Sequence, residues 1–158
     1  MIAGAAGVES GQGALGPAHG SNSASGPRPS ILALENDPCL SLLEIFRPTF
    51  EEMGNEFLTT NDEHKALQIL LTQPVNLFIL NLAGRLRLLQ LVKSEPALCQ
   101  TPVLVVSGFR KLAAIDMLKR AGLVLYRDLD GYLEKPYTPE DLFSFVGAIL
   151  ARRAKVSN

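Results

Sequence analysis

Four groups of polar residues stand immediately behind apolar runs in this chain. Glu35-Asn36-Asp37 follows Ile31-Leu32-Ala33-Leu34, Asn81 follows Leu77-Phe78-Ile79-Leu80, Ser107 follows Val103-Leu104-Val105-Val106, and Lys135 follows Tyr132-Leu133-Glu134. If the runs are strands of one parallel sheet, their carboxyl ends converge on a single crevice, where open α/β sheets place their sites. Carboxylates, a hydroxyl and an ammonium group then meet around Asn81. A carboxylate at that position would be a charged oxygen nucleophile, whereas the amide carbonyl of Asn81 is neutral and a poor one.

The elements that must position these groups follow from the pattern beyond Ser30. Short apolar runs alternate with amphipathic stretches, as expected of parallel strands buried on both faces and joined by helices. Asp37-Pro38 predicts a first helix whose apolar face holds Leu42, Leu43, Ile45, Phe46 and Phe50, bent at Pro48 and ended by Gly54. Residues 56–60 read as a second strand. Asn61 or Asp62 caps a helix carrying Ala66, Leu67, Ile69, Leu70 and Leu71 up to Pro74, and a third helix runs from about Arg85 to Lys93.

Pro102 introduces the fourth strand. Residues 109–121 read as a helix with Leu112, Ile115, Leu118 and Ala121 inside, Arg110, Lys111, Lys119 and Arg120 outside, and Gly122 as its stop. Thr138-Pro139-Glu140-Asp141 combines a hydroxyl cap, a proline at the first position and an acid at the third, and opens a fifth helix that buries Leu142, Phe145, Val146, Ile149 and Leu150. The order is βαβαβαβαβα. Right-handed crossovers and the switch-point rule then predict an α/β fold: a five-stranded parallel sheet, doubly wound, in flavodoxin-like strand order.

Composition bounds the function. With 158 residues, 47% of them hydrophobic, the chain holds one domain's core. A net charge of -1 gives no global field for nucleic acid or an anionic membrane. No segment is apolar enough to span a bilayer, no secretory signal opens the chain, and the expected location is the cytoplasm. Residues 1–29 hold seven of the 13 glycines and almost no large apolar side chain, and read as a disordered leader; residues 30–152 form the domain and 153–158 a tail. Cys39 and Cys99 have no metal-ligand spacing to each other or to His19 and His64, so both cysteines read as small buried hydrophobes and His64 as a solvated surface residue.

Over residues 30–152 the chain resembles the receiver domain of two-component response regulators. The residues that carry the resemblance are the acidic cluster Glu35-Asn36-Asp37-Pro38, Asn81, Ser107, and Gly131-Tyr132-Leu133-Glu134-Lys135-Pro136, each in order at the end of a predicted strand. In that family an aspartate takes a phosphoryl group from a histidine kinase with the help of a divalent metal on acidic residues, and a hydroxyl and a lysine contact the phosphoryl oxygens. Carried over by position, Asn81 matches the phosphoacceptor, Glu35 and Asn36 the metal pair, Ser107 the switch hydroxyl, Tyr132 the switch aromatic and Lys135 the lysine. The resemblance implies the same partners, a histidine kinase or another signalling or output protein.

The departures point away from that chemistry. Asn81 should form no acyl phosphate, and with Asn36 and Asn81 in place of carboxylates Mg²⁺ keeps little more than Glu35, a weak site at most; Asp37 is either a further pocket acid or the cap of the first helix. No cofactor and no catalytic residue are assigned. Leu82-Ala83-Gly84 is a shortened loop, flanked by Arg85 and Arg87, which could attract an anion in place of the lost metal charge. Residues 123–129 look like an insertion that lengthens the face of the fourth helix, fifth strand and fifth helix, the expected surface for a protein partner or a homodimer. Lys135 either pairs with Glu35 or reads an anionic ligand. Ser107 and Tyr132 are switch elements, or a loop start and a packed aromatic. The basic residues on the fourth-helix side, with Arg127, Arg152, Arg153 and Lys155, read as a solvated face, a site for an acidic protein or, as the lesser alternative, a site for nucleic acid. The leading expectation is a pseudo-receiver that acts by protein contact; the alternatives are a phosphorelay receiver that accepts a phosphoryl group at Ser107 or Asp37, and a flavodoxin-like metabolite binder, which lacks a glycine-rich phosphate loop.

Overall fold

The computed structural model describes residues 26–36 and 43–157. Along them run β1 (Ser30–Leu34), a 3-10 turn (Glu44–Phe46), α1 (Arg47–Glu52), β2 (Glu56–Thr60), α2 (Glu63–Thr72), β3 (Leu77–Asn81), α3 (Leu86–Ser94), β4 (Val103–Ser107), α4 (Lys111–Arg120), β5 (Gly131–Glu134) and α5 (Pro139–Val156). The five strands pair in parallel in the order β2-β1-β3-β4-β5, the flavodoxin-like arrangement expected from the alternating runs.

Because side chains alternate across a strand, each apolar run feeds two cores. Leu32, Leu34, Phe78, Leu80, Val103 and Val105 pack with Ala66 and Leu70 of α2, Leu88, Leu89 and Val92 of α3, and Ala114 and Leu118 of α4. Ile31, Ala33, Leu77, Ile79, Leu104 and Val106 pack on the other face with Phe50 of α1 and Leu142, Val146 and Ile149 of α5. Phe50 stacks on Phe57 of β2 at 4.7 Å between ring centroids and meets Phe143 of α5 edge-on at 5.2 Å, so one side chain joins both helices of that face to the sheet.

Local signals set several boundaries where they were expected. The Asp62 carboxylate accepts from the backbone N–H of His64 and Lys65 at the start of α2, and Thr138 and Asp141 form a reciprocal capping box at the start of α5. Gly122 ends α4 at φ +79°, where an L side chain would be strained. His64 is exposed.

Other expectations change. Pro48 lies in the first turn of α1, where a missing N–H leaves nothing unsatisfied, so it starts the helix and does not bend it. Ile45 is 69% exposed, and Leu112 on α4 is 78% exposed; each points away from the face predicted for it. Cys99 is only half-buried. α5 continues through Val156, and Arg153, expected in the tail, pairs with Asp130 at 3.0 Å. The segment 123–129 does not simply enlarge the surface: Leu123 and Leu129 are buried, Leu125 packs beside them, and Tyr126 alone of its large apolar residues stands exposed, at φ +66°. Residues 1–25, and with them His19, and residues 37–42, with the predicted helix start at Asp37-Pro38, Cys39 and Leu42, lie outside the described residues. No helix among the described residues is long and apolar enough to cross a membrane.

The joint role of Phe50 makes it the sharpest test of this packing. Phe50→Ala is expected to destabilise the fold by about 3–5 kcal/mol in urea unfolding, with an unchanged denaturant slope.

Candidate functional site

Hydrogen bonds one residue beyond each strand fix the carboxyl edge of the sheet. The backbone N–H of Glu35 donates to Thr60 O at 3.0 Å, that of Leu82 to Val106 O at 3.1 Å and that of Lys135 to Ser107 O at 2.8 Å. Glu35, Asn81, Ser107 and Lys135 therefore stand along one edge on β1, β3, β4 and β5, the neighbours predicted from the sequence. Asn36 is also at this edge and exposed, and Asp37 lies outside the described residues.

What those side chains do at the edge departs from a metal and phosphoryl pocket. The Glu35 carboxylate accepts from the Leu43 backbone N–H at 2.9 Å, which ties it to the segment leading into α1. Asn81 Oδ1 turns back to accept from Ala83 N–H at 3.4 Å. No ion pair joins Glu35 to Lys135, and among the described residues the Lys135 ammonium has no partner, so the pairing weighed from sequence does not form.

The largest departure is Arg85. It follows Gly84, whose φ of +72° turns the short Leu82-Ala83-Gly84 loop back toward the sheet, and it is 7% exposed. Its Nη2 donates to Glu35 O at 2.8 Å and to Asn61 O at 3.4 Å, and its Nε lies 3.4 Å from Glu63 Oε1. A guanidinium thus spans from α3 across the end of β1 to the β2–α2 connection, while Arg87 stays exposed. Among the described residues its buried Nη1 has no hydrogen-bond partner. A divalent ion needs converging charged oxygens, and among the described residues no three His, Cys, Asp or Glu side chains converge. With a fixed cation already on the Glu35 carbonyl, the described donor set does not fit a divalent metal.

The other half of the edge is a latch on Phe109. Ser107, 1% exposed, accepts from the Phe109 N–H at 3.1 Å, and the Tyr132 hydroxyl donates to the Phe109 carbonyl at 2.5 Å. Tyr132 is buried; burial pushes its phenol above the usual range, the adjacent Ser107 hydroxyl pulls the other way, and the charge of Glu134 adds to the rise. Glu134 accepts from Lys111 N–H at 3.1 Å and so supplies the cap that Arg110 does not give α4. Ser107 and Tyr132 together hold the β4–α4 loop, a role the sequence posed only as a choice between switch and packing.

The basic residues do not form one free patch. Arg127 pairs with Asp128 at 2.8 Å, Arg153 with Asp130, Arg152 donates to the Asp130 carbonyl at 3.2 Å, and Lys111 lies 5.4 Å from the centre of the Tyr126 ring. Sequence reasoning placed Arg85 beside the pocket but missed its inward course. The available signal was an arginine placed directly after a glycine at the head of a leucine-rich helix. From sequence Phe109 reads only as a helix start, and nothing in its type marks it as the point that Ser107 and Tyr132 both grip.

The shape just described is that of known signalling domains. No protein-family model and no curated protein matches the sequence. Among solved structures, the chemotaxis response regulator CheY4 of Vibrio cholerae is similar at 20% identity and a TM-score of 0.64, covering 78% of this chain and 99% of that one. A CheY-like response regulator receiver domain protein from Methanospirillum hungatei gives 19% identity and a TM-score of 0.65 over 82% and 98% of the two chains. A response regulator from Thermotoga maritima gives 18% and 0.63 over 79% and 99%. The chain has the receiver fold.

Two measurements test the site's geometry. Tyr132→Phe removes the hydroxyl that holds the Phe109 carbonyl and is expected to cost about 1 kcal/mol, with faster amide exchange in the β4–α4 loop. Tyr137, beside Lys135, is pushed up to about 12 by burial and then by the charge of Glu35. A phenol raised above its unfolded value of about 10 stabilises the fold fully below pH ~10, and that contribution is lost as pH rises toward 12. The wild-type protein should therefore lose stability over that window relative to Tyr137→Phe; parallel pH profiles would refute the assignment.

Proposed function

We propose that this chain is a receiver-fold signalling module that works without phosphoryl transfer, through protein contact. The observation that carries the reading is the Arg85 guanidinium on the Glu35 carbonyl, where a fixed cation takes the side of the crevice that a metal would need. Asn81 adds to it, because an amide supplies no anionic nucleophile. Ser107 as an alternative acceptor of a phosphoryl group is disfavoured by its burial and by its commitment to Phe109.

The proposed working surface is the side of α4, β5 and α5. The burial of Tyr132 and the hold of its hydroxyl on the Phe109 carbonyl support a surface presented in one arrangement. Phe109 at 47%, Leu112 at 78% and Tyr126 at 59% exposure supply apolar anchors there, beside the Lys111 ammonium. The proposed partner is a protein of a two-component pathway, a histidine kinase or output protein, with a second copy of the chain as the homodimeric form. Similar solved domains include one described as the signal receiver domain of a two-component histidine kinase from Clostridium thermocellum, which supports that class of partner. Neither nucleic acid nor membrane is proposed, and the proposed location is the cytoplasm.

Incubation with acetyl phosphate and Mg²⁺, read by intact mass, is expected to leave the protein unmodified. Asn81→Asp alone is expected to remain unmodified too, because Arg85 stays in the pocket. A stoichiometric phosphoryl adduct on the wild-type chain, mapped to Ser107, Asp37 or any other residue, would replace this reading with that of a phosphorelay receiver.

A further inference from the structure

We propose that the outer edge of β2 is a self-pairing edge for a second copy of this chain, held shut by a clasp of Arg47 and Glu44.

β2 closes the sheet on one side, with β1 as its neighbour. Glu56 N–H donates to Pro29 O at 2.8 Å and Thr60 O accepts from Glu35 N–H at 3.0 Å, so the main-chain groups at the even positions of the strand face β1. Peptide groups alternate along a strand, and those of Phe57 and Thr59 therefore face outward. An open row of this kind is a template for another strand. A groove of about 560 Å³ opens beside the start of β2, lined by Arg28, Arg47, Glu51, Asn55, Glu56 and Phe57.

The edge is not left bare. Arg47 Nη1 donates to Phe57 O, and the guanidinium lies 5.5 Å from the centre of the Phe57 ring. Its fork is held by Glu44, with Nε on Oε1 and Nη2 2.9 Å from Oε2, and by Glu51 at 3.6 Å. Glu44 Oε2 accepts in turn from the Thr59 hydroxyl at 2.6 Å. The pair thus meets β2 at both outward positions and occupies the Phe57 carbonyl that an added strand needs. Both side chains are only half-buried, and an ion pair so exposed adds little stability; its place on the edge is what sets it apart.

The strand is complementary to itself. With two copies of β2 antiparallel about Leu58, Phe57 stands opposite Thr59 of the second copy, and the two exchange both main-chain hydrogen bonds. Leu58 then meets its own equivalent, and Glu56 stands opposite Thr60, so no like charges face one another along the strand. A stable dimer also needs apolar area, and Ile45 and Met53, 69% and 49% exposed, lie on the 3-10 turn and at the end of α1, the elements that carry the clasp. Release of the Phe57 carbonyl by Arg47 is the one change that the outward main-chain groups require.

The experiment is sedimentation velocity of the full chain over a range of concentrations, with amide hydrogen exchange to locate the contact. Arg47→Leu removes the guanidinium, and Glu44→Gln weakens its hold without altering the strand. Each is expected to tighten self-association at least about tenfold over the wild type, with slowed exchange at Phe57 and Thr59. Adding Thr59→Pro deletes an outward N–H and leaves the β1 side of the strand intact, so either double variant is expected to return to the wild-type state. If Arg47→Leu fails to fold, Glu44→Gln and its double variant still decide. Wild-type sedimentation in both opening variants, or association that survives Thr59→Pro, would overturn the inference. So would slowed exchange centred on Leu112 and Tyr126: β2 and β5 lie at opposite edges of the sheet, and a dimer through α4, β5 and α5 would register there instead.

Discussion

The carboxyl edge of a parallel sheet ends in backbone carbonyls with no further strand residues to pair with, and buried carbonyls without donors are costly. In this protein the Arg85 guanidinium supplies donors to two of them, at Glu35 and at Asn61. The rest of the site is arranged around that choice. Asn36 and Asn81 at the same edge are neutral amides and place no charge of their own beside that cation. The short loop with Gly84 at φ +72° is what brings the arginine to the edge, so the loop and the amides belong to one physical arrangement.

On the far side of the crevice the governing constraint is the β4–α4 connection. Phe109 is held at its N–H by Ser107 and at its carbonyl by Tyr132, and α4 is capped by Glu134 from β5. Three hydrogen bonds from two strands determine where α4 begins. Segment 123–129 closes the other end of the same helix: Asp128 accepts from Val124 N–H at 2.7 Å, and Leu123 and Leu129 enter the core. Both ends of α4 are thus anchored, and Leu112 and Tyr126 are left outside as a consequence of where those anchors place the backbone.

The legibility of the fold varies with how local its causes are. The doubly wound sheet could be read because strand runs and helix faces have different periods, and caps at Asp62, Thr138 and Gly122 act within three residues of themselves. Leu112 was misread because helical periodicity places a residue on a stripe but not on the side that meets the sheet; with Ala114 and Leu118 buried, Leu112 turns outward. The 123–129 segment was misread for a related reason. Its sequence shows that apolar residues are present, while the core volume that receives Leu123 and Leu129 is made by other elements.

The candidate site divides along the same line. By itself the sequence determined which chemical groups reach the carboxyl edge, since strand order and register follow from the apolar pattern, and it determined that position 81 carries no carboxylate. Only the tertiary structure decided how those groups are used: that Glu35 turns to Leu43 and not to Lys135, that Tyr132 grips Phe109, and that Arg85 runs inward where Arg87 does not. These are choices among partners far apart in the chain, 50 residues between Arg85 and Glu35. They are settled by side-chain reach and by the need to satisfy buried polar groups, which no local pattern records.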